Sequence, residues 1–371
     1  MRNKIFVLFI LIFSFFFCGS YSDEYLESQI ETVNEYGLFD ELSDQTFSIL
    51  EALGLDEISP ESIASLSFLD IIKLFYESFI LKIKEPFSAF GFAVAALILF
   101  TLIKSLFGDL SSYGYVINAA VSMSVSCAIF IPTKNLIEEG ANVIKECSGF
   151  MLGFIPVYSA AVTSSGYVSA SAGFRSLMLS AVNIVIRISN ELVVPLIGIY
   201  LALCITAAVS DINIKNISKS VKNFAVWIIG ITMTVFSGIM GLGTLIAGTS
   251  DSAVSKTAKF IISSTIPIVG GTVSDALLTI KNCLIITKNI LGAYAIIVIA
   301  AIFLPIILSI IIWKTSLFIS SCIGDLFDAS NISGLFSAAS DVLGIMLALV
   351  SVTAMMFIFS ISIMLMTGAG L

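Results

Sequence analysis

Histidine is absent from this chain, and every function built on an imidazole goes with it: histidine metal ligation, Ser-His-Asp catalysis and His-based proton relays. Charge is scarce too. Of 371 residues 12% are charged and 58% hydrophobic, with a mean hydropathy of +1.05, a balance outside the range of soluble globular domains. The six cysteines (Cys18, Cys127, Cys147, Cys204, Cys283 and Cys322) form no C-x-x-C pair and lie mostly in apolar runs, where a thiol behaves as a small hydrophobe. No G-x-S-x-G, Walker A loop or dinucleotide fingerprint is present. Asp251, Asp275, Asp325, Asp328 and Asp341 fall near span ends or loops, not inside spans where intramembrane aspartyl chemistry would need two of them. The chain is therefore expected to be no enzyme and to take no cofactor, metal or nucleic acid.

What the sequence holds instead is apolar helix. Residues 1–20 place Arg2 and Lys4 ahead of the apolar run Ile5 to Phe17, the shape of a signal peptide. An uncleaved amino-terminal anchor, or acylation at Cys18, are the other readings of the same stretch. Residues 21–85 then carry 15 acids against 3 lysines, so the chain's net charge of -8 is concentrated there. Leu38, Leu42, Phe47, Leu50 and Leu53 recur near helical spacing, and Ser59-Pro60-Glu61 has the form of a helix start. Because cytoplasmic loops are the ones enriched in Lys and Arg, this acidic helical segment is expected outside the cytoplasm, as a tether or as a docking module.

Apolar runs long enough to cross a bilayer, which takes about 20 helical residues, cover 87–103, 113–131, 192–209, 224–247, 291–313 and 342–366. Residues 86–148 read as two transmembrane helices with a connector, and Glu138, Glu139 and Glu146 place that connector, 132–148, outside. The loop 210–223, with Lys215, Lys219 and Lys222, is expected in the cytoplasm.

Two segments resist a simple spanning role. GFMLGFIPVYSAAVTSSG (149–166) and TIPIVGGTVSDA (265–276) each place Ile-Pro before small and hydroxyl residues. Pro156 and Pro267, the latter with Gly270 and Gly271, are expected to break or kink their helices. A broken helix is stable in a membrane only where protein or water meets its free backbone groups. A polar stripe follows each: Ser176, Ser180, Asn183, Arg187 and Asn190 at steps of 4, 3, 4 and 3, then Asp275, Thr279, Asn282 and Asn289. Each stripe leads to a long span, an Asn-Ile-Ser connector and a last span, which suggests an internal duplication of 149–248 and 258–371. Arg187, Lys281 and Lys288 would each cost about 2.5–3.5 kcal/mol against lipid at a helix centre. They therefore either snorkel from helices lying at the interface or line a cavity between the repeats, with Asp275, Glu191 and Asp341 as candidate counter-charges. The fold class is all-α, a polytopic helical membrane protein.

The stretch TAKFIISSTIPIVGGTVSDALLTIKN (257–282), the signal-like start, the acidic segment and the apolar end reaching Gly368-Ala369-Gly370 resemble the stage III sporulation protein AE family of endospore-forming Firmicutes. That resemblance implies a multi-pass protein of the mother-cell membrane around the engulfed forespore. It implies partners among the other stage III A membrane proteins and, through them, the forespore channel protein Q, in the channel or feeding tube that sustains late forespore gene expression. The acidic segment would then lie between the two membranes. The family brings no settled catalytic or binding residues. The alternative is a secondary transporter with a solute site between Pro156 and Pro267.

Overall fold

The computed structural model describes residues 42–55, 80, 83–107, 114–164, 168–209, 215–265, 270–327 and 329–366. The signal-like stretch 1–20, most of the acidic segment and Pro267 lie outside them. Among the described residues all regular structure is helical: α1 (Asp44–Ala52), α2 (Lys84–Phe107), α3 (Gly114–Ser164), α4 (Val168–Arg187), a π-helical turn (Ile188–Val193), α5 (Val194–Val209), α6 (Lys215–Thr265), α7 (Gly270–Leu326) and α8 (Ser330–Met366). Among the described residues four stretches are long and apolar enough to cross a membrane: Ser171–Ala207, Asn216–Gly241, Asn289–Leu326 and Ile332–Leu365. The chain is thus a multi-pass helical membrane protein. The run at 87–103 appears as a shorter apolar helix, Pro86–Leu99.

Contacts between helices fix their order and direction. In the turn between α7 and α8, Ser321 Oγ donates to Ser333 O at 3.1 Å, while the one proton of Ser333 Oγ is shared between Ser321 O, 3.0 Å away, and Asp325 Oδ1. Farther along, Ser340 Oγ donates to Lys314 O, Phe303 meets Phe357, and Gly292 packs on Leu365. The two helices are therefore antiparallel along most of their length. The α3–α4 hairpin uses the same clamp: Ser171 Oγ donates to Ser159 O at 2.7 Å and Thr163 Oγ1 donates to Ser171 Oγ at 2.8 Å. Ser159, Thr163 and Ser171 match Ser321, Asp325 and Ser333 in spacing. In each hairpin short hydroxyl side chains satisfy their own polar needs and let two helices approach closely, a common device of membrane helix packing.

A charged pair, Lys222 with Asp341 at 2.7 Å, sets the start of α6 beside the start of α8, and Ser360 meets Met240 farther along both. Helix α3 packs on α4, α7 and α8, and α6 packs on α4, α5, α7 and α8. Among the described residues α3 and α6 share no packed interface. Its dry centre is apolar: Tyr158, Phe150, Phe154, Phe303, Phe336 and Phe357 are all fully buried.

Two elements differ from the sequence reading. Helix α3 runs without interruption through Pro132 and Pro156, so the expected break at Pro156 is absent. The reason lies on the buried face, where Phe150, Phe154 and Tyr158 stack at four-residue steps with ring centroids 5.6 and 5.5 Å apart. That ladder crosses the proline on both sides and holds the helix straight enough to continue, as neighbouring contacts do for many membrane prolines. The connector 132–148 is likewise helix, continuous with the residues on either side, and the run expected to span at 113–131 is not among the stretches long and apolar enough to cross.

Candidate functional site

Helix α1 belongs to the acidic segment, and its ends are built for docking. Ser43 caps the amino terminus, its Oγ accepting from Thr46 N–H at 3.3 Å. At the other end Gly54 adopts φ 68°, Gly54 N–H donates to Glu51 O and Leu55 N–H to Leu50 O, the paired bonds of a Schellman stop. The positive φ explains the glycine. Leu50 and Leu55, thereby brought together, are both fully buried. Glu146 of α3 then receives three donors on one oxygen: Ser43 N–H at 3.0 Å, Ser43 Oγ at 2.9 Å and Thr46 Oγ1 at 2.6 Å. Tyr294 of α7 donates to Leu55 O at 3.3 Å. So this part of the acidic segment is a docked helix, packed where α3 and α7 meet.

The outward face of α3 is the most unusual surface of the molecule. Lys134, Asn135, Glu138, Asn142 and Lys145 are all exposed, and Lys134 Nζ pairs with Glu138 Oε1 at 2.9 Å. Gly140 sits where the band meets α8: an added Cβ there would strike Met346 and sit 3.3 Å from Val350 Cγ2. The charged band therefore packs beside the part of α8 that follows Asp341, between the Lys222–Asp341 pair and the docked helix α1. Against lipid Lys134, Glu138 and Lys145 would cost about 2.5–3.5 kcal/mol each, a sum comparable to a whole domain's stability of about 5–15 kcal/mol. An exposed ion pair offsets at most about 1 kcal/mol of it. This face therefore meets water or a polar protein surface.

Helix α6 presents the opposite chemistry outward: Phe224, Val226, Trp227, Ile231, Met233 and Val235 are exposed. Such a face suits acyl chains. Helix α3 also exposes Met123, Phe130 and Ile131, so its polar surface is confined to the band from Lys134 to Lys145.

The stripe expected on 176–190 is present on α4, where Ser176, Ser180, Asn183 and Arg187 are exposed. Ser180 Oγ donates to Ser176 O at 2.9 Å and Asn183 Nδ2 to Leu179 O at 2.8 Å, which shortens their reach to their own helix. Asn190 differs: it lies in the π-helical turn, with both its side-chain oxygen and nitrogen buried and unpartnered. The turn has a local cause. Pro195 cannot donate to Glu191 O and crowds it, and one step earlier Val194 N–H bonds instead to Ser189 O, the wider π spacing. Among the candidate counter-charges, Asp341 pairs with Lys222, and Glu191 is exposed. Gly270, Gly271, Asp275, Lys281, Asn282 and Lys288 lie in the first part of α7, between Gly270 and the span at Asn289, with their side chains outside the described set. With α3 continuous, no half-helix end exists at Pro156.

Beside the polar face a cavity of about 630 Å³ lies between α2, α3, α7 and α8, with Asn135, Glu139, Ser88, Ser316 and Trp313 in its wall. Asn135 belongs both to the cavity and to the exposed band. Sequence reasoning took the charged stretch Lys134 to Glu146 as an outside connector and did not show that it is helical and packed on α8. Gly140 was the available signal, since a glycine inside a charged helix asks for a close neighbour.

Comparison with known proteins agrees with these features. The family model described as stage III sporulation protein AE matches residues 59–368. A curated protein named stage III sporulation protein AE, from Bacillus subtilis (strain 168), is 28% identical over 169 residues, which is 44% of this chain and 42% of that protein's own length. No solved structure matches. With the family model spanning most of the chain, this multi-pass helical protein belongs to the stage III sporulation protein AE family.

Proposed function

We propose that the chain is a membrane subunit of the stage III A sporulation assembly, resident in the mother-cell membrane around the forespore. In this role it works with the other stage III A proteins and, through them, with the forespore channel protein Q to sustain late forespore gene expression. Family membership supports the sporulation setting. The observation that carries the conduit role is the exposed charged band of α3, held against the apolar stretch of α8 at Met346 and Val350, a surface unsuited to lipid.

The orientation follows from charge. Lys215, Lys219 and Lys222 gather where α6 begins, and the docked acidic helix α1 lies at Tyr294, near the start of the apolar stretch Asn289–Leu326 of α7. Positive-inside bias puts the lysines in the cytoplasm and α1 in the space between the two membranes.

The test is made in the sporulating host. Deleting the chain should leave engulfment intact but silence a late forespore reporter, and an affinity-tagged copy should copurify with stage III A partners during that stage. A deletion strain with a normal late reporter would overturn the assignment.

A further inference from the structure

We propose that the cavity between α2, α3, α7 and α8 is a binding site for a small organic ammonium ion with an apolar body. The inference goes beyond the sporulation assignment and does not depend on it.

Size and lining both fit such a ligand. A volume of about 630 Å³ is that of a small-molecule pocket, mostly apolar with a few placed polar groups. Phe90, Trp313 and Phe336 give the wall its aromatic character, and among the described residues that line it the one formal charge is the carboxylate of Glu139. The lysines next to lining residues stand outside the wall. Lys84 is exposed on α2, Lys134 pairs with Glu138, and the Lys314 side chain lies along Gly344 of α8.

The polar atoms of the wall are mostly acceptors. Ser316 Oγ gives its proton to Pro86 O at 3.2 Å and Ser320 Oγ gives its own to Ser316 O at 2.9 Å, so toward a ligand both hydroxyls accept. Ala128 and Pro132 both line the cavity, and Pro132 has no N–H to donate to Ala128 O, which leaves that carbonyl with accepting capacity. Asn135 and Glu139 follow on the same side of α3, one turn apart. Glu139 engages another group as well, but a carboxylate offers about four acceptor positions and has room for a further donor. An ammonium group brings donors and no acceptor, and aromatic side chains attract such cations. An anion of the same shape would meet a carboxylate and a row of oxygens. Phosphate is disfavoured for the same reason, so the ammonium is expected from a phosphate-free compound and not from an ethanolamine phospholipid.

The chain has two tryptophans, and Trp313 is the one in the cavity wall. With Trp227→Phe, emission of the full chain in an uncharged maltoside detergent reports on Trp313. No sporulation partner is present, so failure here is distinct from failure of the sporulation assignment. Phenethylammonium should change the emission saturably, and phenylpropionate, an anion of similar size, should leave it unchanged at the same concentration. Glu139→Gln should raise the half-saturating concentration at least about tenfold, the effect of losing one charge-assisted hydrogen bond. Glu138→Gln alters the acid outside the wall and should leave it within about twofold. Comparing cation with anion needs no substitution in the cavity, so it decides the matter even where Glu139→Gln does not fold. A linear response to the amine, or equal responses to both ions, would overturn the site. Unchanged half-saturation in folded Glu139→Gln would overturn the carboxylate as its anchor, and displacement of the amine by added ethanolamine phospholipid would overturn the phosphate-free ligand.

Discussion

Replacing Glu146 by alanine should release α1 from the membrane bundle. One carboxylate oxygen accepts from Ser43 N–H, Ser43 Oγ and Thr46 Oγ1, and hydrogen bonds to a charged partner contribute about 1.5–3 kcal/mol each where they are sheltered. Two of the three lie in exposed surroundings and all share one oxygen. Discounted for solvent screening, the set is worth about 1.5–3 kcal/mol in total. What remains to hold α1 is Leu50 and Leu55, both fully buried, and the long bond from Tyr294 to Leu55 O. At about 1.4 kcal/mol per factor of ten, amide exchange across Thr46–Leu55 should accelerate roughly tenfold to a hundredfold, while exchange in α7 and α8 stays unchanged. Hydrogen-exchange mass spectrometry of the purified full chain reads this directly. Unchanged protection of α1 in Glu146→Ala would show that apolar burial alone holds the helix and that the three-donor latch contributes nothing.

Other expectations follow from the same packing. Gly292→Ala would bring a Cβ within 2.8 Å of Leu365 Cγ, overpacking that should cost about 1–3 kcal/mol and lower the thermal midpoint in detergent. Ser333→Ala removes the donor to Ser321 O and Asp325 in the α7–α8 clamp. It should destabilise by about 1–3 kcal/mol as the partners are left unpaired, read from the same melt. The two tryptophans should separate in lipid containing brominated acyl chains: Trp227, 61% exposed on α6, should be quenched, and Trp313, 8% exposed in the cavity wall, should not. Single Trp→Phe variants assign the signals.

Much of the architecture was legible because its main term, apolar burial, is written in the chain. The runs at 192–209, 224–247, 291–313 and 342–366 all lie within or largely within spans of the structure, and the stripe from Ser176 to Arg187 faces outward on α4. Long-range contacts were not legible. Pro156 argued locally for a break, and only the stacked Phe150, Phe154 and Tyr158 across it explain why α3 continues. Lys134 to Glu146 looked like a solvated connector. Its packing on α8 is made by Gly140 on Met346, a contact between residues far apart in sequence. The π-helical turn had a local cue in Pro195, but the cue is weak because a proline early in a helix is ordinarily harmless. The hairpin clamps also had a pattern, serine then Thr or Asp four on and serine twelve on, which means nothing until two helices are known to be adjacent.

The claim beneath all of this is that α3 runs as one helix through its charged stretch and is held there against α8. Imaging the full chain in a lipid nanodisc measures that packing directly. Gly140 should lie on an unbroken helix at the height of Met346 and Val350. A chain with 132–148 looped away from α8 would contradict it.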